Sequence, residues 1–338
     1  MSEFYTEVVR IGKITKHPDA DSLSITDVLG GYPCIIKTGD FVEGQLAVYL
    51  SVDTLCPLDN PLFAFLAKSG SPKSLNGKQY ARIKAVKLRG IFSMGLLIPA
   101  DPGWEEGQNV SEFLGIEKYE PLVTNTANGG RSSTFPGELI HYDIEGIRKY
   151  ENLLQENEQV VVLEKVDGQN SSFVYTDTDF VVCSHNQKKE RPLDSEPVAN
   201  WWQIAAKYDI ERKLEQCRNL AVYGEVYGYV SDLRYGTKPG ELLLAIFDVL
   251  DIRNRRWLNW DDVVELANEL ELPLVPELYR GCWKPELKEL SEGKTTINKA
   301  DHIREGIVVK PLYERTDRKI GRVILKLHGT GYLLRKEK

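Results

Sequence analysis

Hydrophobic and polar residues alternate in short runs over the first third of the chain. From Thr6 to about Gly115 these runs read VVRIGKI, SITDVLG, YPCIIKTG, QLAVYL, YARIKAVKL and GLLIP, divided by Gly, Pro, Asn and Asp. Short strands at regular spacing with turn residues between them predict a small β-barrel or sandwich. The stretch TNTANGGRSSTFPGE over 124–138 is rich in turn formers and poor in apolar residues, and reads as a linker. Boundaries follow at 1–120 for the first domain, 121–140 for the linker and 141–338 for the second domain.

In the second domain Asp143 can cap a helix carrying Ile144, Ile147, Tyr150 and Leu154 at three- to four-residue spacing. Strands then return as QVVVLEK, SSFVYTD, DFVVCSH, LAVYGEVYG, ELLLAIFDVL, EGIVVKP and RVILKL. Helices are expected at about 199–217, at 261–271 ahead of Pro273, and at 285–292. The early strands follow one another through tight turns, so the pattern is α+β with a largely antiparallel core.

Composition narrows the class. With 28% charged and 42% hydrophobic residues in 338, the chain is globular rather than low-complexity. No secretory signal or bilayer-length apolar run is present, so the expectation is an intracellular protein with no membrane partner. Cys34, Cys56, Cys183, Cys217 and Cys282 are odd in number and dispersed, and read as buried thiols rather than a disulfide or zinc framework. The net charge of −7 argues against indiscriminate coating of nucleic acid, but basic residues are clustered. No acidic residue lies between Asp59 and Asp101, where Lys68, Lys73, Lys78, Arg82, Lys84, Lys87 and Arg89 fall. A second basic zone runs from Lys310 through Arg315, Arg318, Lys319, Arg322 and Lys326 to Lys336. Such zones are either solvated faces or phosphate contacts.

The chemistry-bearing segment is Leu-Glu-Lys-Val-Asp-Gly-Gln-Asn over 163–170, which puts Lys165 at the end of an apolar strand ahead of a glycine turn. A protonated amine is a poor nucleophile and must lose its proton before attacking. Alone, a lysine followed by Asp-Gly is a weak signal, because strand-end lysines are common on surfaces. Its company is stronger. Glu225 lies within the apolar strand VYGEVYG, where an unpaired carboxylate is unfavourable unless it faces a cation, a donor or water. Phe247-Asp248, then Glu305-Gly306 with Lys310 closing EGIVVKP, then Lys326 in RVILKLHG complete the series.

This order resembles the covalent nucleotidyltransferase superfamily of polynucleotide ligases and mRNA capping enzymes over about 160–330. The resemblance implies that Lys165 takes AMP from ATP as a lysyl-phosphoramidate, with Glu164 beside the adenine and Phe247 stacked on it. It implies Asp167, Glu225 and Glu305 around a Mg²⁺ or Mn²⁺ ion held through its water shell, and Lys310 and Lys326 on the phosphates. ATP is expected over NAD because no nicotinamide-binding region precedes the core. Only HGTGYLLRKEK follows the terminal lysine motif, so the carboxy-terminal OB domain of DNA ligases and capping enzymes is not expected.

The amino-terminal region, with HPDADSL over 17–23, GDFVEGQ and RIKAVKLRGIFSMGLLIP, resembles the OB fold of tRNA-binding modules and the leading domain of one RNA-ligase family. The implied protein is an ATP-dependent RNA ligase in which an N-terminal OB-fold β-barrel precedes an antiparallel-sheet nucleotidyltransferase domain. It would act as a monomer on 3′-OH/5′-phosphate nicks in duplexes with RNA on the 3′-OH side. Asn170 matches an asparagine near the broken strand end in such ligases. Lys84, Lys87 and Arg89 alternate with Ile83, Val86 and Leu88, as a strand lying along a phosphate backbone would; a barrel edge protected by lysines is the alternative. Two departures stand out: His185 occupies a position where many relatives have arginine, and Lys326 lacks the second lysine of the usual Lys-x-Lys, with His328 following it. The competing readings are a DNA ligase or capping-type enzyme, and a non-catalytic RNA-binding OB protein.

Overall fold

The structure, a computed structural model, describes residues 6–29, 31–68, 72–75, 77–119, 130–194 and 196–335. The chain divides into two compact units, Glu3–Leu122 and Val123–Lys338.

In the first unit, Leu46–Leu50 is the central strand of an antiparallel sheet between Glu7–Arg10 and Leu96–Pro99. Its sequence LAVYL is apolar at every position because both of its faces are covered. Val48 and Leu50 pack with Val8, Cys56, Phe63 and Ile83, whereas Ala47 and Tyr49 pack with Val9, Ile11, Val28 and Ile36. A second sheet pairs Leu23–Val28 with Tyr32–Lys37, and a third pairs Thr54–Pro57 with Lys78–Arg82. The run expected as one strand over 80–88 is two. Lys78–Arg82 ends, and Val86–Leu88 turns back on Ile91–Ser93 through Arg89 and Gly90, both at positive φ (43° and 88°) as a tight hairpin requires.

Among the described residues the second unit holds two large sheets and a two-stranded ribbon, Thr316–Asp317 with Gly321–Arg322. A seven-stranded antiparallel sheet runs in the order Ser132–Thr134, Gln187–Lys189, Phe180–Ser184, Gly168–Tyr175, Leu220–Gly228, Leu242–Asp251, Arg256–Trp257. A five-stranded sheet has Gln159–Lys165 between Glu277–Cys282 and Gly306–Pro311, followed by Leu325–His328 and Glu145–Gly146. Val161 and Leu163 from the smaller sheet pack against Phe173, Val222, Val226 and Leu244 from the larger, so the main core lies between the sheets. The alternate residues Val160, Val162, Ile307 and Val309 form a separate cluster on the opposite face. Period-two alternation with both faces apolar therefore explains why QVVVLEK is a continuous hydrophobic run.

Several expected elements differ. Part of the expected linker, Ser132–Thr134, is an edge strand on Gln187–Lys189, while 120–129 lies outside the described residues. Asp143 caps no helix: Glu145–Gly146 pairs in parallel with Leu325–Lys326 first, and the helix is a single turn, Ile147–Tyr150. The helix expected over 199–217 is two, Asn200–Lys207 and Ile210–Glu215, broken at Asp209, which adopts positive φ. Cys34, Cys56 and Cys183 are buried, but Cys217 and Cys282 are only partly so. Among the described residues no helix is long and apolar enough to cross a membrane.

Candidate active site

The register of the five-stranded sheet sets the site. Lys165 pairs with Gly306, and Gly306 pairs with His328, so the three lie in one row across adjacent strands. A Cβ on Gly306 would sit 2.1 Å from the Leu327 carbonyl oxygen, so only glycine fits in the middle of this row. Glu305, the residue before it, accepts a 2.8 Å hydrogen bond from Lys165 Nζ through Oε1, and His328 Nε2 lies 3.5 Å from the same oxygen.

Asp167 occupies the turn leaving the lysine strand. Its backbone N–H donates to the hydroxyl of buried Tyr235 at 2.7 Å, and Ser231 Oγ donates to its carbonyl at 3.0 Å. Gly168 then starts the central strand of the other sheet; a Cβ there would meet the Val226 carbonyl at 2.3 Å and Glu225 Cγ at 3.1 Å. That close approach brings Glu225 to the site, on the strand position opposite Asn170.

The electrostatics follow from three carboxyl groups sharing one cation in a desolvated place. Burial pushes the Glu225 carboxyl up to about 8, against the pull of Lys165. Burial acts upward on Glu305 also, but Lys165 and His328 together hold it down at about 2. Asp167 is raised by burial and by the charge of Glu305. Burial alone would lower Lys165, yet Glu305 and Glu225 outweigh it and leave the ammonium form favoured. One carboxylate oxygen of Asp167 (Oδ2) and one of Glu305 (Oε2) are buried without a hydrogen-bond partner. Such orphaned acceptors suit a cation. No three His, Cys, Asp or Glu side chains among the described residues converge closely enough to ligate one ion directly. The two orphaned carboxylate oxygens fit a Mg²⁺- or Mn²⁺-type ion, which dehydrates reluctantly and keeps several of its waters.

The remaining predicted site residues divide. Glu164 is buried; Thr295 Oγ1 donates to one of its oxygens, and Thr296 N–H and Oγ1 donate to the other at 2.9 and 2.7 Å. Phe247 is the extra residue of a bulge, since Tyr223 pairs with Asp248 and Gly224 with Ile246, and its half-buried ring lies 4.6 Å from that of Tyr142. Lys326 pairs with Val308, two residues along the strand from His328. Lys310 is not brought to the cluster. It is fully buried, bound to Asp248 Oδ1 at 2.8 Å and lying over the Trp260 ring, while Arg322 holds the other oxygen of Asp248 at 2.8 Å. The Lys310 ammonium group is thus engaged by a buried carboxylate rather than by the Lys165 cluster. His185 Nε2 lies 3.5 Å from Asp143 Oδ1.

In the first unit, Lys84, Lys87 and Arg89 are exposed, as expected, but Val86 and Leu88 are each 40% exposed. The hairpin is too narrow to bury one face, so the alternation does not mark an inward apolar row beyond Ile83. Arg89 donates to the Asp19 carbonyl at 3.0 Å.

Sequence reasoning missed Tyr235, Thr295, Thr296, Tyr332 and Arg335. Only the threonine pair after Gly293 gave a local cue, as small polar residues in a turn. Tyr332 Oη donates to Asp167 Oδ1 at 3.0 Å, and the Arg335 guanidinium lies over the Tyr332 ring at 3.4 Å.

A search of curated proteins finds no significant relative. Solved structures of an RNA ligase from Naegleria gruberi are similar over nearly the whole chain. One with pyrophosphate has a TM-score of 0.84 at 25% identity, with 97% of each chain covered. A mutant of that ligase with ATP and Mn has a TM-score of 0.84 at 25% identity over 98% of each chain. A second mutant with ATP and Mn gives 0.85 at 25% identity, covering 97% of this chain and 98% of that one. An OB-fold domain model matches residues 5–100. The RNA ligase family model matches residues 158–328, half of the chain, from the strand that ends in Lys165 to His328, and the chain belongs to the RNA ligase family.

Proposed function

We propose that this protein is an ATP-dependent RNA ligase that works through a lysyl-AMP intermediate and seals 3′-OH/5′-phosphate nicks in duplexes with RNA on the 3′-OH side. The observation that carries the reading is the sharing of Lys165 by Glu305, Asp167 and Glu225, with buried carboxylate oxygens left over. Two of the solved relatives carry ATP and Mn, which supports ATP and a divalent metal as cofactors here. The finer assignments, Glu164 and Phe247 at the adenine, Lys326 at a phosphate and Asn170 at the strand end, are part of this proposal; Lys310 is not.

The chain's own groups perform three things. Glu305 holds Lys165 in place but as an ammonium ion, so the amine becomes nucleophilic only when the charge around it changes. Asp167, Glu225 and Glu305 would hold a divalent ion through its waters, and that ion supplies positive charge favouring the neutral amine and offsetting charge on the α-phosphate. Lys165 Nζ then bonds to the α-phosphorus as the bond to the β-phosphate oxygen breaks. Pyrophosphate departs and the amine gives up a proton. In the second step a 5′-phosphate oxygen bonds to the AMP phosphorus as the phosphorus–nitrogen bond breaks, and Lys165 takes up a proton and leaves as the amine. In the third, the 3′-hydroxyl attacks that phosphate, losing its proton, and AMP leaves.

The test is incubation with α-labelled ATP and Mn²⁺, followed by denaturing electrophoresis. An acid-labile adduct is expected on the wild type and none on Lys165→Ala; a label that survives that substitution refutes the reading. Comparing RNA with DNA on the 3′-OH side of a nick separates RNA from DNA ligation, and ATP with GTP separates ligation from capping.

A further inference from the structure

The segment after the terminal lysine strand takes no part in the three chemical steps, yet it is built firmly into the site. Gly329 passes so close to Ser291 that a Cβ would lie 2.6 Å from its carbonyl oxygen. Glu292 accepts the Thr330 N–H at 2.6 Å, fixing the start of the short helix Thr330–Leu333. That anchoring aims Tyr332 at the lysine motif, 165 residues earlier in the chain, where its hydroxyl donates to Asp167 Oδ1 at 3.0 Å. The Tyr332 ring has two close neighbours: His328 is nearly parallel to it (12° between planes, centroids 6.0 Å apart), and Arg335 lies over it at 3.4 Å. Arg335 Nη2 stands 4.0 Å from the other Asp167 oxygen, Oδ2, which has no hydrogen bond.

We infer that Tyr332 is a positioning residue for the metal site: its hydroxyl, beside His328 and Arg335, occupies Oδ1 of Asp167 and so leaves Oδ2, the oxygen without a hydrogen bond, as the one available to the ion's water shell. A freely rotating carboxylate presents either oxygen, whereas one pinned by a donor presents one in a fixed direction. Partners behind a metal-holding carboxylate commonly govern affinity in this way, their loss weakening metal binding by about 10–100-fold. The inference deepens the function proposed above and rests on it.

Tyr332→Phe keeps the ring and both stacking partners and removes only the donated hydroxyl. Mn²⁺ binding to the full chain is measured from the free-ion EPR signal in the presence of an unreactive α,β-methylene ATP, beside thermal unfolding without metal. The expected result is a Kd for Mn²⁺ raised by about 10-fold in Tyr332→Phe, an unchanged Tm, and adduct formation restored by raising Mn²⁺. Arg335→Ala should weaken binding less, and Arg335→Lys less again. Wild-type Mn²⁺ affinity in Tyr332→Phe overturns the inference, as does an affinity loss accompanied by a fall in Tm, since the hydroxyl would then hold the fold rather than the carboxylate. Adduct formation by the wild type, scored in the same samples, separates the two failures. If the adduct forms and Tyr332→Phe binds Mn²⁺ normally, only the role of Tyr332 falls. If the wild type forms no adduct, the ligase mechanism falls and takes this role with it.

Discussion

Lys165 and His328 stand on either side of Gly306 in one cross-strand row and meet at the same oxygen, Oε1 of Glu305. The side chain missing from Gly306 is what lets two groups from non-adjacent strands reach one carboxylate. Gly306→Ala should therefore abolish adduct formation. Its methyl group would lie 2.1 Å from the Leu327 carbonyl oxygen, a backbone atom that cannot swing away. Gly168→Ala is expected to act similarly, through the Val226 carbonyl at 2.3 Å. Labelling with ATP checks both, and near-normal adduct in Gly306→Ala would mean that the strands are not in this register.

The pairing of Glu305 and Glu225 makes opposite predictions about stability and pH. Glu225 is raised from an ordinary 4.5 to about 8, so the folded state binds its proton more tightly than the unfolded state does. Its contribution is full below about pH 4.5 and is lost as pH rises through 8. Glu305 is lowered from 4.5 to about 2, so its contribution is full above pH 4.5 and disappears as pH falls toward 2. In metal-free protein, Glu225→Gln should thus gain Tm relative to wild type between pH 5 and pH 8.5, whereas Glu305→Gln should lose it at neutral pH. Thermal unfolding at those pH values decides the matter. A Tm difference between Glu225→Gln and wild type that does not grow with pH would show that Glu225 is not protonated in the fold.

How far these features are legible in the sequence depends on whether chemistry or geometry sets them. Lys165, Asp167, Glu225 and Glu305 are recognisable because charged side chains in or beside apolar strands need partners, and because their order is that of the motifs the sequence resembles. The two-sheet core is recognisable because QVVVLEK and LAVYGEVYG are too apolar to be covered on one face only. Lys310 marks where local reading ends: a lysine closing an apolar strand looks the same whether it points to a phosphate or to a buried partner. Its partner Asp248 is 62 residues away, and their meeting depends on how the sheets stack. The single hydroxyl that Tyr332 gives to Asp167 spans 165 residues and leaves no local pattern. The Val86–Leu88 hairpin was hidden because alternation alone does not say whether a second layer covers the apolar side.

The placement of Lys310 makes its own prediction. Asp248 lies fully buried between Lys310 and Arg322, whose charges hold its carboxyl below the usual range although burial alone would raise it. Lys310→Met leaves that carboxylate with one cation fewer, and truncating one partner of a buried pair destabilises by about 3–5 kcal/mol. Chemical denaturation should show this loss. A stability within about 1 kcal/mol of wild type, combined with failure to form the adduct, would return Lys310 to a phosphate-binding role.

Glu164 is held by three donors from Thr295 and Thr296, so it fixes the 293–305 segment that leads into Glu305. Glu164→Ala would leave the buried Thr295 hydroxyl without its acceptor, whereas the exposed Thr296 can turn to water. Each unsatisfied buried group costs about 1–3 kcal/mol. A stability loss of that order is expected together with weaker ATP use, seen as a raised KM in the labelling assay. If stability were untouched while KM rose, the carboxylate would serve the nucleotide alone.

The hairpin of the first unit offers a prediction that separates nucleic-acid grip from chemistry. Lys84, Lys87 and Arg89 are exposed on or beside Val86–Leu88, and the tight turn at Arg89 and Gly90 holds the hairpin in shape. If these residues lie along a phosphate backbone, removing each cation should lower the slope of log affinity against log salt by about 0.7–0.9, because fewer counterions are released on binding. Combined Lys84→Ala and Lys87→Ala should therefore weaken binding of a nicked duplex at low salt and flatten its salt dependence by about twice that amount. Nick sealing should fall while the lysyl adduct, which forms before any polynucleotide is engaged, still accumulates. Arg89 also ties the hairpin to the Asp19 carbonyl, so Arg89→Ala should lower Tm slightly as well. Wild-type salt dependence in the double lysine variant would identify these lysines as a solvated barrel edge, kept charged to stop edge-to-edge association.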